Sequence, residues 1–102
     1  MKLTGQTKIE FEKWLLNESG LINVSWKWFL ALHYSLQWGI YQDFADSVGV
    51  EIQIAINGIP KHFGSIEYYA LVEKQYVASR LKTRQEARNA AIEKFNEMYN
   101  EK

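Results

Sequence analysis

The chain carries two histidines, His33 and His62, and these are the first side chains to weigh for chemistry near neutral pH. Nucleophilic hydrolysis needs a base held against its nucleophile. His33 stands in an apolar, aromatic run and reads as a packed or partly exposed ring. His62 falls between Gly58 and Gly64, a turn region where solvent exposure is expected. Zero cysteines exclude thiol nucleophiles, thiolate metal sites and disulfides together. The sequence has no His-x-x-x-His pair and no carboxylate-rich loop, so it offers no metal cage. Gly58 and Gly64 flank Pro60 in a hairpin, not in the strand-to-helix turn that a phosphate-binding loop requires. Asp43 and Asp46 are neighbours on a helix, but Phe44 and Ala45 between them mark a solvated edge beside a buried one. The reading is a non-enzymatic protein that uses no metal and no cofactor.

Charge offers a second kind of chemistry. Lys plus Arg and Asp plus Glu each number 12, so no whole-molecule field draws a polyanion or an anionic membrane. A local patch does exist: Arg80, Lys82, Arg84 and Arg88 crowd one junction, opposed there by Glu86 alone. A three-stranded meander followed by a helix opening Thr83-Arg84-Gln85-Glu86-Ala87 resembles the arm-type DNA-binding domains of phage integrases. That resemblance implies a sheet laid in the major groove and phosphate contacts from the four basic residues. The free face of such a sheet should be basic and polar. Here the first strand supplies Glu51 and Gln53, and the second supplies Glu67, Tyr68 and Tyr69. Nucleic-acid binding is therefore the alternative reading.

The leading one rests on aromatic residues, which make up 15% of the chain and include Trp14, Trp26, Trp28 and Trp38. Each buries a large area and lets a short chain build a core. If helices cover one face of the sheet, however, some of Tyr68, Tyr69, Tyr76, Trp26 and Trp28 lie outside. Tyr and Trp anchor protein contacts. These five are the candidate contact residues of a module that binds another protein or a second copy of itself.

The elements that must position them follow from periodicity. At 102 residues, with one Pro, six Gly and 47% hydrophobic residues, the chain forms one domain, residues 1–102, with no linker or repeat. A first helix spans Thr4 to Asn17, with Thr4 or Thr7 as cap, capping-box spacing at Thr7-Lys8-Ile9-Glu10, and Phe11, Trp14 and Leu15 on one face. Leu21 to Leu32 has two readings, an extended piece or a short helix capped by Ser25. From Tyr34 to Val48 the stripe Leu36, Ile40, Phe44, Val48, widened by Tyr41 and Ala45, is helical, with Gly49 just past its end. Gly39 inside that helix suggests a close helix crossing.

At Gly49 the period changes to two: Val50, Ile52, Ile54 and Ile56 form a half-buried strand, and Asn57-Gly58 signals a hairpin. Ile66 to Val72 and Gln75 to Leu81 follow as strands around a turn at Glu73-Lys74. Thr83 to Glu86 is a capping box opening a final helix to about Tyr99, with Ala87, Ala90, Ala91, Phe95, Met98 and Tyr99 inward. The order is α-α-β-β-β-α, a two-layer α+β fold with helices on one face of an antiparallel meander. No apolar h-region follows Lys2, and polar residues interrupt Leu21 to Ala45, so the expectation is a cytoplasmic protein that does not span a membrane.

Three stretches together resemble a family of small phage and prophage proteins of gut bacteria. They are Leu3 to Trp14, Leu36 to Val50, with its Gln37-Trp38-Gly39-Ile40-Tyr41 core, and Thr83 to Asn100. That family has no established activity, so the resemblance transfers no site residue. It implies a mobile-element accessory protein acting inside a bacterial host.

Overall fold

In the computed structural model, which describes residues 2–17, 25–57 and 66–101, the chain runs α1 (Gly5–Asn17), α2 (Trp26–Leu30), α3 (Tyr34–Ser47), β1 (Ile52–Asn57), β2 (Glu67–Val72), β3 (Gln75–Leu81) and α4 (Arg84–Asn100). The strands form one antiparallel sheet in the order β1-β2-β3. Helix α4 lies along all three strands, while α1 and α3 pack on α4 and α3 also touches β1. This is the α+β arrangement that the periodicities imply.

Local chemistry sets each boundary. Ser25 accepts a hydrogen bond from the Trp28 amide and so starts α2, which resolves the Leu21 to Leu32 ambiguity for its described part; Leu21 to Val24 lie outside the described residues. Thr83 accepts from the Glu86 amide and opens α4 as its capping box requires. Helix α3 ends in a Schellman pattern. The Val50 amide donates to the Ala45 carbonyl and that of Gly49 to Asp46, with Gly49 left-handed at φ 79°.

Helix α1 starts differently. Thr7 is buried inside the helix, so its capping box does not form. The caps come instead from α4. Asn100 Oδ1 accepts from the Thr7 amide (2.9 Å) and lies 2.8 Å from the Thr7 hydroxyl. Asn96 Oδ1 accepts from the Thr4 amide (2.8 Å), and its Nδ2 donates to Thr4 Oγ1 (3.0 Å).

The core is aromatic at the helices and aliphatic at the sheet. Phe11 contacts Phe29, Tyr41 and Phe44 with ring centroids 4.9–5.2 Å apart, and Phe95 joins them through Phe44. Ile52, Ala70 and Val72 meet Ala87, Ala91 and Ile92 where the small side chains of α4 let it approach the sheet. The buried face of α3 is Trp38, Tyr41, Phe44 and Ala45; the last three belong to the expected stripe, Ile40 and Val48 pack at its margin, and Leu36, 58% exposed, gives its place to Trp38. The larger ring won the core position because it buries more area.

Two further expectations change. Asn57 is itself the last paired residue of β1, opposite Glu67, so no two-residue Asn57-Gly58 hairpin forms. The longer connection, with Gly58, Pro60, His62 and Gly64, lies outside the described residues. The Glu73-Lys74 turn does form, with both residues left-handed (φ 53° and 64°), the backbone pattern of a type I′ hairpin.

Candidate functional site

Among the described residues, helices α1, α2 and α3 frame an apolar groove in the helical layer. Helix α1 supplies Trp14, which rests on Phe11 (6.0 Å) and Phe44 (5.6 Å) and turns its remaining face outward. Helix α2 supplies Trp28, and Leu32 follows it. The α2 end is fastened to α3 by the Gln37 amide, which reaches the carbonyls of Leu32 (3.0 Å), Phe29 and Leu30 (3.3 Å each). Helix α3 supplies Ser35, Leu36, Gly39, Ile40 and Asp43. The groove encloses about 350 Å³, at the lower end of the ~300–1,000 Å³ typical of ligand clefts.

Gly39 is the floor. A Cβ built there meets nothing within 4 Å, so the close helix crossing read from the sequence is corrected: the missing side chain leaves space open to solvent. Asp43 is the one ionisable group in the lining, exposed and without an ion-pair partner among the described residues. An apolar trough with one free carboxylate at its rim can hold an apolar side chain and pair with a neighbouring cation or donor. The sequence signal was the row Ser35, Gly39, Asp43, four apart beside Leu36 and Ile40, where small and polar residues leave a notch in an apolar face.

The five aromatic candidates divide among three places. Tyr68 and Tyr69, adjacent on β2, point to opposite faces. Tyr69 is on the open face, in edge contact with Tyr76 of β3 (5.6 Å, 65°). Tyr76 is 68% exposed, and the Tyr69 hydroxyl donates to Glu67 (3.0 Å). Tyr68 faces the helices, packed on the core beneath the Arg84 guanidinium (5.7 Å). Trp26 is half-buried, stacked on Phe29 (5.6 Å) under Lys8 (5.0 Å). Trp28 lines the groove at 39% exposure. The expectation of Tyr68 and Trp26 as outward anchors is thereby corrected: both rings are drawn onto the core.

The basic residues do not form one row. Arg80, left-handed at φ 55°, sits 3.9 Å from Glu67. Arg88 lies between α4 and α3, over Tyr34 (5.8 Å) and Trp38 (5.9 Å), with its Nε buried and unpartnered among the described residues. Lys82 is exposed in the β3–α4 connection. Packing engages Arg88, whereas Arg84 stays exposed beside Tyr68.

The remaining chemistry is structural. His33 Nδ1 accepts from the Ser35 amide (3.3 Å), so the ring caps α3. Burial pushes the Tyr41 phenol above its ordinary range, offset in part by a hydrogen bond with the Leu3 backbone. Among the described residues no group of three His, Asp or Glu could hold a metal ion, and no helix is long and apolar enough to cross a membrane. Fold and site together define a two-layer α+β domain with an apolar, carboxylate-rimmed groove between three helices. No family model matches the chain, and no curated protein or solved structure matches it significantly.

Proposed function

We propose that this is a non-catalytic protein-binding module that seats one large apolar side chain of its partner in the groove above Gly39. The observation that carries the reading is the void at Gly39 walled by Trp14, Trp28, Leu36 and Ile40. Aromatic side chains around an apolar trough that a bound partner seals from water are where contact energy concentrates. Asp43 at the rim favours a partner segment with Lys or Arg beside its anchor. The setting, a phage accessory protein working in the host cytoplasm, rests on the sequence resemblance alone. The nucleic-acid alternative loses ground because Arg88 is held against Tyr34 and Trp38 and Arg80 is drawn to Glu67, leaving Arg84 and Lys82 as the exposed cations of the four without an ion pair among the described residues.

The test is titration of short peptides with a central Leu, Phe or Trp, flanked by Lys in one set and Glu in the other, followed by amide and indole NMR shifts. The Lys-flanked set should move Gly39, Trp28 and Asp43 and leave Tyr69 and Tyr76 still. Shifts confined to the sheet, or equal response to both sets, would count against the groove.

A further inference from the structure

The register of the sheet decides which backbone groups of β1 remain available. The Glu73 amide donates to the Glu51 carbonyl (2.8 Å), so Glu51 and Glu73 are a hydrogen-bonded pair. With Ile52 opposite Val72, the paired residues continue as Gln53–Leu71, Ala55–Tyr69 and Asn57–Glu67. Ile52, Ile54 and Ile56 therefore turn both amide and carbonyl to the outer edge. The Ile52 carbonyl is taken by the Gln42 side chain of α3 (3.2 Å). Ile54 and Ile56 have no described partner on that side.

Exposed edges are usually guarded by charge, proline or a bulge. The far edge, β3, has such guards: two register shifts and a left-handed Arg80. Strand β1 has none. Its six residues, Ile-Gln-Ile-Ala-Ile-Asn, carry no charge and no proline, pair without irregularity, and leave Ile56 54% exposed.

We infer that β1 is a self-association edge whose occupant is β1 of a second copy, paired antiparallel about a two-fold axis at Ala55. In that register Ile54 faces Ile56 of the other copy, and the two Ile–Ile pairs exchange four backbone hydrogen bonds. Ala55 faces its own equivalent in the close, non-hydrogen-bonded position, where a small side chain fits. Gln53 faces Asn57, so no like charges meet. The Ile52 carbonyl stays with Gln42, outside the new ladder. Each strand is thus complementary to itself, which a foreign strand need not be, and this selects a second copy as the occupant. Because only one edge is competent, the contact is isologous and closes at two chains instead of growing into a fibre. The inference is independent of the groove.

A cysteine-free chain makes the test clean. Ala55→Cys and Gln53→Cys each place one thiol on the open face of β1. Across the proposed axis the Ala55→Cys thiols oppose each other, while the Gln53→Cys thiols are offset by four residues, about 13 Å along the strand and beyond disulfide reach. Under mild oxidation with diamide, Ala55→Cys should form disulfide dimers at least tenfold faster. Adding Ile56→Pro, which removes an outward donor and no bond to β2, should cancel that advantage. Ile56→Lys does the same should proline distort the strand. Sedimentation of the unmodified chain should show mass rising towards twice the monomer with concentration in wild type and in Gly39→Leu alike. Equal crosslinking rates for the two thiols, a constant monomer mass, or a dimer that survives both folded Ile56 variants would overturn the inference.

Discussion

Gly5 and Gly39 are both helix glycines in the same aromatic layer, yet they do opposite things. At Gly5 the backbone is left-handed (φ 60°), and an added Cβ would lie 2.9 Å from Asn100 Oδ1. The glycine lets α1 begin hard against the end of α4, where Thr4, Thr7, Asn96 and Asn100 satisfy one another. At Gly39 the backbone is ordinary helix and an added Cβ meets nothing. One glycine closes a joint and the other keeps a surface open. The same residue type marks either a close approach or a vacancy, and only the neighbours in space distinguish them.

Substitutions at the two places should separate accordingly. The largest effect is expected from Gly5→Ala, which combines left-handed strain with displacement of Asn100; a loss of about 3 kcal/mol should appear in chemical denaturation. Asn100→Ala removes the cap on the Thr7 amide and one acceptor of a buried hydroxyl, and the same measurement should give about 2 kcal/mol. Gly39→Leu fills the groove without touching the core: it should weaken the Lys-flanked peptides by tenfold or more while the fold persists. The smallest change is Gly39→Ala, which should raise stability by roughly 0.5–1 kcal/mol, because a helix-favouring methyl enters empty space. A destabilising Gly39→Ala would mean that the void is not empty, and the contrast between the two glycines would fall with it.

Much of the element order and the strand limits were legible because each depends on local signals: Thr83 as cap, Gly49 as stop, alternation from Ile52 to Ile56. Ser25 offered a cap, but beside the alternation of Val24, Trp26 and Trp28 it left α2 open. The caps of α1 were not, because they arrive from residues 89 to 93 positions away in sequence. On α3 the inward Tyr41, Phe44 and Ala45 were legible, but the burial of Trp38 in place of Leu36 was missed for a related reason. Leu36 and Trp38 are both apolar, and only the room offered by Phe11 and Phe29 decides which enters the core. Of the candidate groove, the sequence singled out Trp28, whereas Gly39 and Asp43 gained meaning from α1 and α2 closing the groove around them. Tyr68 and Tyr69 could be assigned to opposite faces from the sequence, but not which face the helix would take.

The joint between α1 and α4 also bears on the order in which the chain matures. Asn96 and Asn100 are synthesised some ninety residues after Thr4 and Thr7, yet they supply the hydrogen bonds that begin α1. Until α4 is complete, α1 has uncapped amides and its Thr7 hydroxyl has neither of its acceptors from α4. Closing a loop of some ninety residues costs entropy that only the assembled core offsets. Helix α1, made before α4, must thus wait for the final turn of α4, and a chain in which that turn has not formed lacks the clasp that starts α1.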